Sequence, residues 1–177
     1  EEISISNLSK YLDKNALFSS QWQIKRKKDY TKSQHENFLN EKIEPILSYW
    51  LERIASEKLL DPSAVYGYFP CGRVGNSLHL FNFDNSEQLG EFTFPRQKGG
   101  NRYCISDFYR DIKDNKPTDY IPMQAVTMGL KASKYAQHLF DSDSYSDYLF
   151  FHGFAVQMAE ALAEYIHALI RFECVFK

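Results

Sequence analysis

The chain has 177 residues, 44% of them hydrophobic and 16% aromatic, enough to bury a core without disulfides or metals. Its 14 Phe and 12 Tyr belong in a core or on a binding surface, which excludes a disordered chain. A net charge of −2 excludes the strong basic excess of a generic nucleic-acid binder, and no apolar run approaches the length of a membrane span or a signal peptide.

The N-terminal segment, residues 1–31, reads as irregular apart from a short helical start near Leu8 to Leu12. Leu17, Phe18 and Trp22 are anchors that can pin it to a core. The basic run Lys25-Arg26-Lys27-Lys28 reads as a solvated loop or as a docking patch for an acidic partner. From Ser33 to Lys58, Leu39, Ile43, Leu47, Trp50, Leu51 and Ile54 recur at helical spacing. Pro45 interrupts that stretch and predicts a kink or a fresh helix start.

The middle of the chain reads as strands. Ala64 to Phe69 is the first, stopped by Pro70, with a turn over Gly72 to Asn76. Leu78 to Phe83 is apolar on both faces, as a central strand is. After turn residues at Asp84 to Ser86, Leu89 to Phe94 alternates, with Phe92 and Phe94 on one face. The three predict an antiparallel meander. Ser106 reads as the cap of a short helix reaching Ile112, with Asp107 in its first turn. Ile121 to Met128 is a further strand ended by Gly129, and Lys131 to Phe140 a helix. The strongest helix runs from about Ser144 to Phe172, with Phe151, Phe154, Ala155, Met158, Leu162, Tyr165, Ile166 and Leu169 in one stripe. At its end Phe172, Val175 and Phe176 look like residues meant to be covered.

Few constellations carry chemistry. On the last helix Glu160, Glu164, His167 and Arg171 are spaced by four, three and four, so they share one face. That face is either solvated and laced with ion pairs or turned toward a ligand or partner. Glu164-x-x-His167 has the spacing of a carboxylate-bridged metal motif, but no second copy occurs, so no metal site is expected. Gly72-Arg73-Val74-Gly75-Asn76 lacks the Gly-Lys-Ser/Thr ending and the following helix of a phosphate loop. His152-Gly153 is unusual, because glycine inside a helix costs about 1 kcal/mol relative to alanine; a close neighbour would explain it. Cys71, Cys104 and Cys174 show neither zinc nor redox spacing and read as free thiols in a reducing compartment.

Several blocks in collinear order resemble one family. They are Leu12-Asp13 with Leu17-Phe18 and Gln21-Trp22, then Tyr66-Gly67-Tyr68-Phe69-Pro70-Cys71, then Phe94-Pro95-Arg96-Gln97 with Tyr103-Cys104-Ile105-Ser106-Asp107-Phe108. Asp119-Tyr120 with Ala125-Val126-Thr127-Met128-Gly129 follows. Tyr148 through His152-Gly153 and Ala159-Glu160-Ala161-Leu162-Ala163-Glu164-Tyr165-Ile166-His167 complete the set. Together they resemble the activation (S-adenosylmethionine-binding) domain of vitamin B12-dependent methionine synthase.

The resemblance implies an α+β fold over residues 1–177 as a single activation-type domain, with an antiparallel twisted sheet, a meander, packed with long helices. It implies a methyltransferase context in methionine biosynthesis, located in the cytoplasm. Such a domain positions S-adenosylmethionine for reductive remethylation of oxidised cobalamin. The cobalamin would be bound by a partner domain, and a flavodoxin-type reductase would supply the electron. No nucleic acid or membrane partner is implied. Asp13 matches the family aspartate that binds the methionine amino group, and Glu160 a helix glutamate near the ligand and the cobalamin interface. Neither is implied to be a catalytic residue. The family's Arg-x-x-x-Gly-Tyr-Pro binding element follows the long helix, and this sequence ends at Lys177 before one occurs. The expectation is therefore a domain truncated before that element, with weak or absent S-adenosylmethionine binding by this chain alone. Two other readings remain open: a docking module for a corrinoid protein that has lost ligand binding, and a carboxylate/histidine metal enzyme built on Glu160, Glu164 and His167.

Overall fold

A computed structural model describes residues 3–175. Its contacts fall into two compact units: one takes the chain up to Val65 and again from Ala125 onward, the other is Tyr66–Gln124.

In the first unit the N-terminal stretch is a chain of short helical turns rather than irregular. Ser4 accepts a hydrogen bond from the Asn7 N–H and opens α1 (Ile5–Leu8), followed by a 3-10 turn over Ser9–Tyr11. Asp13 caps α2 (Lys14–Ala16), which widens into a π-helical turn over Leu17–Gln21. Each turn is short, so its free N–H groups need a side-chain acceptor, and Ser4 and Asp13 supply it. What holds the turns in place is tertiary: Leu8, Leu17, Phe18 and Trp22 are all buried, as their apolar character predicts.

Thr31 and Gln34 form a reciprocal capping box that starts α3 (Lys32–Phe38). A π-helical turn, Leu39–Ile43, leads into α4 (Glu44–Glu57) with Pro45 in its first turn. The fresh start expected at Pro45 does not occur: the helical run is unbroken from Lys32 to Glu57, and Pro45 follows directly on the π-helical turn, a local irregularity of the kind that accommodates a residue without an N–H. Ile43, Leu47, Trp50 and Ile54 are buried at successive helical intervals. Lys58 closes α4 with φ +49°, the left-handed conformation common after a helix end.

α5 (Gly129–Asp141) and α6 (Tyr145–Val175) pack against each other. α6 buries Phe151, Phe154, Met158, Leu162 and Ile166 from the predicted stripe, together with Gly153, Gln157, Ala161 and Ile170. The Phe151 ring lies 4.7 Å from that of Tyr135 and 5.6 Å from that of Trp50, tying α4, α5 and α6 into one core. Phe172 is exposed; Phe176 and the side chain of Val175 lie outside the described residues.

The second unit carries the antiparallel meander. The strands are β1 (Ser63–Val74), β2 (Ser77–Phe81), β3 (Gln88–Thr93) and β4 (Asp119–Thr127), in the order β3-β2-β1-β4. Val74 pairs with Ser77 across a two-residue turn, and Ser77 pairs with Thr93, their hydroxyls 2.8 Å apart. Cys71, Leu78 and Leu80 form the core here, with Phe94, Tyr109, Ile121 and Met123 against them. The fold is α+β.

Three further local expectations fail. Pro70 does not stop β1, which continues to Val74. It stands just before Cys71, the first residue paired with β2, where a missing N–H breaks no rung of that ladder. The turn is accordingly only Gly75-Asn76, with Gly75 at φ +59°, and Gly72 is strand. Ser106 caps nothing: the 3-10 turn Ile105–Phe108 starts after Cys104, whose N–H donates to the Asp107 carboxylate at 2.9 Å. Ser106 is buried and donates from Oγ to the Gly75 carbonyl, so it anchors the turn instead.

Candidate functional site

The N-terminal turns wrap against α6, and this brings Asp13 and Glu160 onto one hollow of about 250 Å³. Tyr11, Asp13 and Ala16 line one side of it; Gln157, Glu160, Ala161 and Glu164 line the other. The α6 residues recur at three- and four-residue intervals, so one face of the helix presents them together.

Asp13 is held in place by its role as a helix cap. Its Oδ1 accepts from the Ala16 N–H at 2.9 Å, which fixes the side chain while the carboxylate stays exposed. The Tyr11 ring meets that of Tyr165 edge-on at 5.7 Å, so the hollow's rim is fixed to α6 beyond Glu164. Ala16 and Ala161 add little bulk, which leaves the space open.

The electrostatics are one-sided. Asp13, Glu160 and Glu164 bring three carboxylates, and none of the lining residues is basic. Lys14, the neighbour of Asp13, is drawn away into an ion pair with Glu44 at 2.9 Å. The site therefore suits a cationic ligand group, which several carboxylates can hold by charge-assisted hydrogen bonds.

The rest of the polar face on α6 divides. Glu160 and Glu164 reach the hollow, whereas His167 and Arg171 are exposed outside it, with His167 Nδ1 3.8 Å from Glu164. Among the described residues no three His, Cys, Asp or Glu side chains come together as a metal site. Lys25, Arg26, Lys27 and Lys28 are all exposed. Gly72 to Asn76 forms strand and hairpin turn, not a loop before a helix. All three cysteines are free thiols, Cys71 and Cys104 buried and Cys174 exposed. Among the described residues no helix is long and apolar enough to cross a membrane.

Three lining residues went unnoticed in the sequence, Tyr11, Ala16 and Gln157. Tyr11 carries no periodic signal. Gln157 had one: it is a polar residue inside the apolar stripe, three before Glu160 and next to the fully buried Met158. A polar side chain in such a stripe needs a partner or a reason.

Comparison with known proteins places the chain in a family. Residues 4–175 match the family described as vitamin B12 dependent methionine synthase, activation domain. Methionine synthase of Mycobacterium leprae (strain TN) is 37% identical over 180 residues, covering 98% of this chain and 15% of the relative. That of Mycobacterium tuberculosis (strain ATCC 25618 / H37Rv) is 36% identical with the same coverage. The chain thus spans about 15% of the length of these curated relatives. Among solved structures, the crystal structure of the MetH reactivation domain bound to AdoHcy superposes with a TM-score of 0.75 at 26% identity. The match covers 97% of this chain and 54% of that one. The chain belongs to the family of the activation domain of vitamin B12-dependent methionine synthase.

Proposed function

We propose that this chain positions S-adenosylmethionine for the reductive remethylation of oxidised cobalamin, as part of a methionine synthase, the methyltransferase that completes methionine biosynthesis. The observation that carries the reading is the hollow shared by Asp13 and Glu160, lined by three carboxylates and no basic residue, in a member of this family. A solved relative of the same fold is described as bound to AdoHcy.

In this reading Asp13 takes the ligand's ammonium group, because a carboxylate already oriented by its helix cap gives a strong charge-assisted bond at little entropic cost. Glu160 and Glu164 add negative potential beside the ligand's positive charge. When bound, S-adenosylmethionine supplies an electrophilic methyl on a sulfonium sulfur. The chain's own contribution is orientation, holding a reactant where a bimolecular step becomes effectively intramolecular. At about 250 Å³ the hollow is below the roughly 300–1,000 Å³ of pockets that enclose a drug-sized ligand, so it fits one end of the molecule and not the whole. Cobalamin belongs on a partner domain, a flavodoxin-type reductase supplies the electron, and the setting is the cytoplasm.

The test is isothermal titration of the full-length natural protein with S-adenosylmethionine. Asp13→Asn and Glu160→Gln are each expected to weaken binding about tenfold or more. Unchanged affinity in both variants overturns the reading. A second reading is favoured by the exposed basic run at 25–28 and the exposed end of the α6 polar face: docking of a corrinoid protein without ligand binding. Salt-sensitive association with a cobalamin-binding domain, in a protein that does not bind S-adenosylmethionine, would support it.

A further inference from the structure

We draw no further inference here: the strongest candidate, the groove that Gly129, Ala132, Ala136, Ala155 and Ala159 line between α5 and α6, is an unpartnered face of small residues, and nothing in the structure shows what covers it.

Discussion

Trp22 lies so close to Gly153 that a Cβ on the glycine would stand 3.1 Å from the indole Cδ1 and 2.9 Å from Cβ of Gln21. The indole Nε1 donates to the Phe150 carbonyl at 3.0 Å, and the ring meets that of Phe150 edge-on at 5.0 Å. A glycine in the middle of α6 is thus the receptor for the N-terminal turns, and those turns carry Asp13 to the hollow.

Gly153→Ala should therefore destabilise the protein despite alanine's better helix propensity. The propensity gain is about 1 kcal/mol, while forcing a methyl into a packed contact costs about 1–3 kcal/mol; here the contact to Gln21 is shorter than a real Cβ tolerates and the one to Trp22 is tight. We expect a net loss of up to about 2 kcal/mol by denaturant unfolding. An unchanged or raised midpoint would show that the N-terminal turns can shift freely.

Asp13 has two separable jobs. Asn caps a helix about as well as Asp, so Asp13→Asn should leave the unfolding free energy within about 0.5 kcal/mol of the original while removing the charge at the hollow. Asp13→Ala removes the cap as well and should cost about 1 kcal/mol more. Comparing the two by chemical denaturation, with ligand titration alongside, separates structure from binding. Equal stability of both variants would mean that the cap contributes nothing.

Asp107 makes the sheet unit sensitive to acid. Arg96 donates to its two oxygens at 2.7 and 2.8 Å, the Cys104 N–H at 2.9 Å and Arg73 at 3.3 Å. The hydrogen bonds from Arg96 and then from the Cys104 backbone, with the charges of Arg96 and Arg73, hold its carboxyl well below the usual carboxylate range. A carboxyl depressed on folding stabilises above its unfolded value of about 3.9, and that stabilisation is lost as pH falls below it. The midpoint should drop between pH 5 and pH 2. Asp107→Asn should be less stable at pH 6, with the difference narrowing toward pH 2. A constant difference across that range would contradict this.

The three cysteines should differ sharply in reactivity. Burial, and then the nearby Asp119 charge, push the Cys71 thiol up to about 12, so it carries almost no thiolate at pH 8. Cys104 is shielded by burial, and Cys174 is exposed. Native protein treated with iodoacetamide at pH 8 should be labelled at Cys174 first, and at Cys71 only after unfolding. Peptide mass mapping that finds early labelling of Cys71 would show that its strand opens.

Local periodicity already carried the stripe of Leu47, Trp50 and Ile54, the long run from Phe151 to Ile166 and the three-strand meander. Each depends on neighbours within one helical turn or one strand, a relation written directly into residue order. Asp13 entered through family likeness, since nothing local distinguishes it from a loop acid, whereas Glu160 was visible in the spacing of the α6 polar face and took a ligand role only from that likeness. Their meeting on one hollow depends on Trp22 seating against Gly153 and on Tyr11 meeting Tyr165, contacts between segments far apart in the chain that have no period. The same limit explains the misread positions. Pro70 stays in its strand because of where the ladder to β2 begins, and Ser106 anchors a hairpin turn because Gly75 is brought beside it. Gln157 went unremarked in the sequence because only the packing of the N-terminal turns against α6 makes it part of the hollow's lining. Sequence alone thus sets which faces are apolar and where elements start. Which polar groups end up facing one another is set by side-chain packing between distant segments, where a single methyl group can decide the fit.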